Sequence, residues 1–253
     1  IVTGSVTSAQ NIIKCCNQSG LDVEDIVLEP LSSSQAVLSP DEQEVGVVLV
    51  DIGGGTTDVT IYSEGSIVHT AVLALGGNHL THDIAIGLGA PLHEAEEIKH
   101  TYGVAMSTMV EEDEMIDVPS VGGRNNRTMQ KRVLASIIED RFREIFELIA
   151  HEIEKTHFHT LMASGVVITG GTCIMPGADM LASQVLNLPV RVGYPENIAG
   201  LREMIYSPKY ATSVGLVRYG ITSNQGKLNF VGDDTNLFHK VSRRMKDWMQ
   251  DFF

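Results

Sequence analysis

The sequence predicts an α/β fold, and three observations carry the prediction. An apolar run over residues 45–51 ends at three consecutive glycines, as a buried central strand ending in a tight turn would. Leu134, Ile138, Phe142, Ile145, Ile149 and Ile153 recur at helical spacing and define one apolar face of a long helix. A second short apolar run, residues 166–169, ends at Gly170-Gly171 just ahead of another helical segment.

The elements follow in order. Residues 1–3 read as the end of a buried strand, so the chain is expected to begin inside a domain, without a signal peptide. A helix over 7–18 is closed by Gly20, and a strand is expected at 26–28. A short helix follows Pro30, and Pro40 with the acidic run 41–44 reads as a turn. Beyond the glycines, residues 58–62 and 66–71 alternate as two strands joined at Glu64-Gly65, a hairpin. Helices are expected from near Leu80 and over 93–101, then short strands and a Gly122-Gly123 loop within 103–128. After the long helix come the strand at 166–169, a helix over 177–186, a strand at 190–192 and a helix over 210–219. Residues 223–236 are polar and rich in Gly, Asn and Asp, the composition of a linker.

Composition narrows the function. The net charge of -14 argues against general nucleic-acid binding, which needs clustered lysine and arginine. The charge is unevenly spread. Residues 237–253 hold four basic residues and two acidic ones, a local +2, which leaves the first 236 residues at −16. The 3 cysteines have no metal-ligand spacing and fit a reducing cytosol. The His79/His82 and His157/His159 pairs lack a third ligand in the sequence. No apolar run reaches the length of a membrane span.

The sharpest motif is Asp51-Ile52-Gly53-Gly54-Gly55-Thr56-Thr57-Asp58 between two strands. Glycines let backbone N–H groups approach a polyphosphate, a threonine hydroxyl adds a donor, and an aspartate at a strand end can hold a hydrated Mg²⁺. A tight glycine hairpin with surface aspartates is the plainer alternative. The motif resembles the second phosphate loop of the actin, sugar-kinase and heat-shock-chaperone ATPase superfamily. Other segments resemble that superfamily's remaining elements, in its order. Glu29-Pro30 resembles the connecting motif whose acid orients the attacking water, although by itself it reads as a helix start. Gly76-Gly77-Asn78 resembles the glycine pair that faces the terminal phosphate. Glu96 and Lys99 share a helix face and resemble the pair that reaches the ribose, although alone they read as a surface ion pair. Gly170-Gly171-Thr172 resembles the adenosine motif. The resemblance implies an actin-like ATPase fold of two ribonuclease-H-like lobes with ATP and Mg²⁺ between them. Residues 1–44 would end the first lobe, and residues 45–222 would form the second, with 83–165 as an inserted subdomain.

The wording between these motifs is similar to the FtsA family of bacterial cell-division proteins. Its carriers are Gly76-Gly77-Asn78-His79-Leu80-Thr81-His82-Asp83-Ile84-Ala85, residues 118–124, residues 134–142 and residues 166–172. The family's first phosphate motif and its small extra subdomain have no counterpart in these residues. The likeness implies an ATP-binding, polymerising adaptor that tethers FtsZ and other division proteins to the cytoplasmic face of the inner membrane at the septum. Asp51 and Glu29 would manage Mg²⁺ and water if ATP is hydrolysed. Pilus-assembly or cell-shape actin homologues are the nearest rivals. A small-molecule kinase needs a substrate site not found in the sequence, and a chaperone ATPase needs a peptide-binding domain.

Two further features fit the resemblance. Leu237, Phe238, Val241, Met245, Trp248, Met249, Phe252 and Phe253 fall on one side of a helical wheel, with Arg244 and its basic neighbours largely opposite. That describes a helix lying in the headgroup layer of an anionic membrane, with a terminal helix docked on the body as the alternative. Arg124, Arg127, Lys131, Arg132, Arg141 and Arg143 form a basic cluster in an acidic body. They read either as helix-face charges balancing Glu139, Asp140 and Glu144, or as the contact for the acidic, apolar C-terminal peptide of FtsZ that the resemblance implies.

Overall fold

The computed structural model describes residues 4–120, 126–156, 162–196 and 202–228. The chain divides into two compact units, residues 1–216 and 217–253. The first is built on a five-stranded sheet of order β3-β2-β1-β6-β7, with β1 Val47–Ile52, β2 Thr57–Ser63, β3 Ser66–Leu73, β6 Val166–Thr169 and β7 Val190–Val192. β2 and β3 are an antiparallel hairpin on one side of β1, and β6 and β7 are parallel to it on the other. Glu64 and Gly65 both take positive φ at the hairpin turn, as its tight geometry demands. β4 Met115–Val118 and β5 Arg127–Gln130 make a separate two-stranded sheet.

Strand parity divides the core in two. Every residue of β1 is buried. Val48, Val50 and Ile52 point into one cluster, formed with α4 Gly77–Leu88, α5 Leu92–Tyr102, α6 Lys131–Lys155 and α7 Ala178–Leu186. Val47 and Leu49 point the other way, against Ala36, Val37 and Leu38 around the end of α2 Glu29–Val37. The expected apolar face of α6 is the buried one, from Leu134 through Phe142 and Phe146 to Ile153. Each such side chain contributes about 1.5–3 kcal/mol when fully buried, far more than helix propensity differences supply.

Three segments differ from expectation. Residues 40–44 form no simple turn but a short helix, α3 Pro40–Val45. The Ser39 hydroxyl accepts from the Glu42 N–H, the Glu42 carboxylate accepts from the Ser39 N–H, and Pro40 opens the first turn. Residues 26–28 form no strand, because no neighbouring strand among the described residues pairs with them, and Ile26 and Leu28 are exposed. The last helix among the described residues, α9 Ala211–Leu228, follows the short α8 Arg202–Ile205 and reaches past residue 219 into residues expected as linker, since no proline interrupts it. At the end of α2, Ala36 and Val37 pack against β1 and β6. The expected strand 1–3, the loop at Gly122-Gly123, Arg124, His157 and His159, and the amphipathic tail 237–253 lie outside the described residues. The helix of residues 7–18 is α1 Val6–Gln18, and it buries no side chain. No helix among the described residues is long and apolar enough to cross a membrane.

Candidate nucleotide site

Three glycine loops meet where β1, β6 and α4 end or begin. Gly53 closes its own turn by donating to the Thr56 carbonyl at 2.9 Å. The Gly53 carbonyl then accepts from the Gly77 N–H at 2.9 Å and from the Thr172 hydroxyl at 2.9 Å, so one oxygen fastens all three loops. The Gly54 carbonyl accepts from Asn78 at 2.7 Å. The approach leaves no room for side chains at several points. A Cβ on Gly76 would lie 2.7 Å from the Gly53 oxygen, and one on Gly77 would lie 2.6 Å from Thr172 Oγ1. Gly170, at φ +94, lies against the Ile52 carbonyl and Asp51 Oδ1. Gly55 alone of the triplet faces open space, with nothing within 4 Å of a Cβ placed there. The glycines thus differ: Gly53, Gly76 and Gly170 let backbone meet backbone, Gly54 and Gly77 admit the Asn78 and Thr172 side chains, and Gly55 is exposed with nothing near it.

Next to this clasp opens a cavity of about 580 Å³. Of the residues selected from the sequence, Gly54, Gly77, Asn78, Glu96, Lys99, Gly171 and Thr172 line it, joined by His100, Gly103, Ile174, Met175, Pro176 and Lys209. Lys99 is almost fully buried. Its ammonium donates to Glu96 Oε2 at 2.7 Å, Thr81 Oγ1 at 2.8 Å and the Gly77 carbonyl at 3.1 Å. Thr81 in turn donates to Glu96. Burial pushes the Glu96 carboxyl up, but the hydrogen bonds from Lys99 and Thr81 and the lysine charge outweigh it and hold the group below its ordinary value. The cavity therefore has a fixed ammonium at one wall and an apolar Ile174–Met175–Pro176 wall. That combination suits a phosphorylated ligand with a flat ring.

Behind the clasp sit three carboxyls. Asp51 and Asp58 are directly opposed across β1 and β2, an unfavourable like-charge pair, and Glu29 opens α2 beside them. Burial raises the Asp51 pKa; the Ser33 hydrogen bond opposes that and the Glu29 charge adds to it. Burial, then the charges of Glu29 and Asp51, push Asp58 up to about 6. No lysine or arginine among the described residues forms an ion pair with any of the three. Uncompensated negative charge of this kind fits a divalent cation. No group of three or more His, Cys, Asp or Glu among the described residues is close enough to hold one directly.

Other expected residues take different places. Thr57 does not reach the cavity: it shares strand parity with core residues Val59 and Ile61, is fully buried, and donates to the Leu75 carbonyl at 2.8 Å. Thr56 and Gly55 are exposed at the loop tip. His79 offers Nδ1 to the Gly76 N–H at 3.2 Å, holding the second glycine loop. Of the basic cluster, Arg141 bonds both oxygens of Asp83, one at 3.1 Å, and also Glu144. Arg127 donates to the Leu88 carbonyl at the end of α4, and Arg132 pairs with exposed Glu112 at 3.3 Å. Asp83, Ile137, Asp140, Arg141 and Glu144 line a shallow hollow of about 250 Å³. Sequence alone did not point to Ser33, Thr81, Lys209 or Thr212. The i, i+3 spacing of Glu96 and Lys99 marks that pair, but nothing local to it marks Thr81 as the third member.

The sheet order, the three glycine loops and the cavity beside them define an actin-like ATPase fold. MreB5 of Spiroplasma citri, solved bound to ADP, matches it with a TM-score of 0.71 over 89% of this chain and 68% of its own, at 18% identity. The MamK double helical filament matches with a TM-score of 0.62 over 86% of this chain and 65% of its own, at 14% identity. The family model for cell division protein FtsA matches residues 48–215, and the FtsA of Pseudomonas aeruginosa is 41% identical over 100% of this chain. The chain belongs to the FtsA family of cell division proteins. It spans 62% of the length of that Pseudomonas relative.

Proposed function

We propose that the chain is the nucleotide-contacting part of a membrane-anchored, actin-like adaptor of bacterial cell division. It binds ATP, self-associates into filaments, and holds the FtsZ ring and other division proteins at the cytoplasmic face of the inner membrane, at the septum. The observation that carries the reading is the clasp of three glycine loops beside a cavity walled by Lys99, in a chain of the FtsA family. Gly54, Gly55, Gly77 and Asn78 supply loop surface for the phosphates. Lys99, held by Glu96 and Thr81, presents charge toward the ribose side. Gly171 and Met175 flank the base. Asp51, with Glu29 and Asp58 beside it, would hold a hydrated Mg²⁺, and the ion would supply positive charge against the acidic group and the phosphates. Glu29 is placed to orient water at the same end. ATP acts in this reading chiefly as a ligand that closes the two lobes and favours assembly.

Two measurements test it. Fluorescence-anisotropy titration of a labelled FtsZ C-terminal peptide should show saturable binding, weakened by Arg132→Glu and Arg141→Glu. Among the described residues Arg132 pairs only with exposed Glu112, so its reversal perturbs the fold least. No binding by a folded protein would remove FtsZ from the reading and leave the fold standing. Separately, deletion of residues 237–253 should abolish co-sedimentation with vesicles containing anionic lipid; unchanged co-sedimentation would exclude the tail as the anchor.

A further inference from the structure

We propose that Ser33 and Thr212 are positioning residues for Asp51: a chain of two hydroxyls that fixes one carboxylate oxygen and leaves the other for the hydrated cation. The inference rests on the ATP and Mg²⁺ reading above and deepens it.

Strand parity decides where Asp51 points. It follows Val47 and Leu49 on the β1 face that packs against α2, so its carboxylate meets that helix rather than solvent. Ser33, fully buried on α2, places its hydroxyl 2.6 Å from Asp51 Oδ2. A hydroxyl has one proton, and here it goes to the carboxylate. Ser33 Oγ also lies 3.0 Å from Thr212 Oγ1, and with the serine proton committed, that contact takes its proton from Thr212. Thr212 Oγ1 has two longer contacts, each at 3.4 Å, to Asp51 Oδ2 and Glu29 Oε1. One proton cannot serve three acceptors, and the shortest contact is Ser33.

The same hydroxyls are not needed to dock α9 on α2. That is done by the Ser32 hydroxyl, which donates to the Thr212 carbonyl at 2.6 Å, and by Gly215, which lies directly on the Ser32 backbone. What the Thr212 and Ser33 hydroxyls add is direction. With Oδ2 held, Oδ1 lies beside Gly170, and no hydrogen bond to Oδ1 forms among the described residues. A side chain at 170 would fill that space, because its Cβ would stand 2.5 Å from Oδ1. The carboxylate therefore has one oxygen committed to protein and one aimed at the end of β6, where the adenosine loop begins.

The test uses full-length protein and a fluorescent ATP analogue, titrated with Mg²⁺ present and again in EDTA. The readout is the ratio of the two affinities. A purely packing role would weaken both and leave the ratio unchanged. Ser33→Ala is expected to lower the ratio about tenfold, and Thr212→Val about threefold, in line with a lost hydrogen bond to a charged group and to its donor. Thr212→Ser is expected to restore the ratio to within about twofold of the wild type, since it keeps the hydroxyl. Wild-type ratios in both Ser33→Ala and Thr212→Val would overturn the proposal, as would a Thr212→Ser variant no better than Thr212→Val. Should Ser33→Ala melt far below the wild type, the Thr212→Val and Thr212→Ser pair decides alone. Wild-type protein that binds the analogue with no response to Mg²⁺ would remove the cation reading and this proposal with it. Wild-type protein that fails to bind it at all would remove the nucleotide reading itself.

Discussion

Replacing Gly215 by alanine sets two effects of opposite sign against each other. In an exposed helix interior, alanine is better than glycine by about 1 kcal/mol. Propensity alone therefore predicts a more stable protein. At Gly215 the added Cβ would stand 1.8 Å from the Ser32 carbonyl oxygen and 2.4 Å from its carbon. To restore even a 3.0 Å contact, α9 and α2 would have to separate by roughly 1.2 Å. α2 cannot yield easily, because Ala36 and Val37 at its end are buried against β1 and β6. Overpacking of this kind destabilises by about 1–3 kcal/mol, and loss of the Ser32–Thr212 hydrogen bond adds about 1. The net expectation is a loss of about 1–3 kcal/mol. For a chain of this size it appears as a fall in Tm of about 3–10 °C. Thermal unfolding followed by circular dichroism measures it, with Gly220→Ala as the internal control. Gly220 lies in the same helix, and a Cβ placed there would meet nothing within 4 Å. That control should hold or raise Tm. A Gly215→Ala protein that also gains Tm would refute the close crossing of α2 and α9.

Three other outcomes follow from the same geometry. Asp58 has its folded pKa raised to about 6 from 3.8, so it favours the folded state fully below about pH 4, and that stability is lost as pH rises through about 6. Two pKa units correspond to about 3 kcal/mol, and because Asp58 is half-buried, screening reduces the expected loss to about 1–2. In Mg²⁺-free buffer, Asp58→Asn should match the wild type in urea at pH 4 and exceed it at pH 7.5; equal midpoints at both would contradict the pKa. Lys99→Met should weaken nucleotide binding at least about tenfold, since it removes a buried charge held by three acceptors, and calorimetric titration at wild-type affinity would exclude Lys99 from the site. Arg191→Met removes two 2.8 Å bonds to Glu42 and one to the Val37 carbonyl. It should lower Tm by about 2–8 °C, and an unchanged melt would show the clamp between α3 and β7 to be dispensable.

Local signals carry much of this architecture. The apolar run before Gly53, the alternation on both sides of Glu64-Gly65 and the spacing from Leu134 to Ile153 each mark an element. The helix at Pro40–Val45 is legible too, because Ser39 and Glu42 spell a capping box, but the adjacent proline and acidic run weigh toward a turn. Position within the motif puts Thr57 among the phosphate ligands. Counting parity back from Ile61 and Val59 puts its hydroxyl in the core instead. Residues 26–28 have strand composition, but a strand also needs a neighbour, and composition says nothing about one. Ser33 and Thr212 lie 179 positions apart, and nothing local to either marks them as partners. The same is true of Gly215 against Ser32, where only the crossing of two helices reveals why glycine is required.

The sheet order sets when the site can exist during synthesis. β1 borders β6, and the Gly53 carbonyl meets the Thr172 hydroxyl across 119 positions of the chain. The β2–β3 hairpin can close as soon as it leaves the ribosome, because its partners are near neighbours. The clasp cannot, since its third loop is translated only after α6 is complete. At about 5–20 residues per second, that interval is on the order of ten seconds, during which the unpaired side of β1 is open to wrong partners. Nucleotide cannot rescue such an intermediate, for the cavity that would receive it has no far wall until residue 176 has been made. On the proposed reading, ligand acts on the finished fold and not on the path to it.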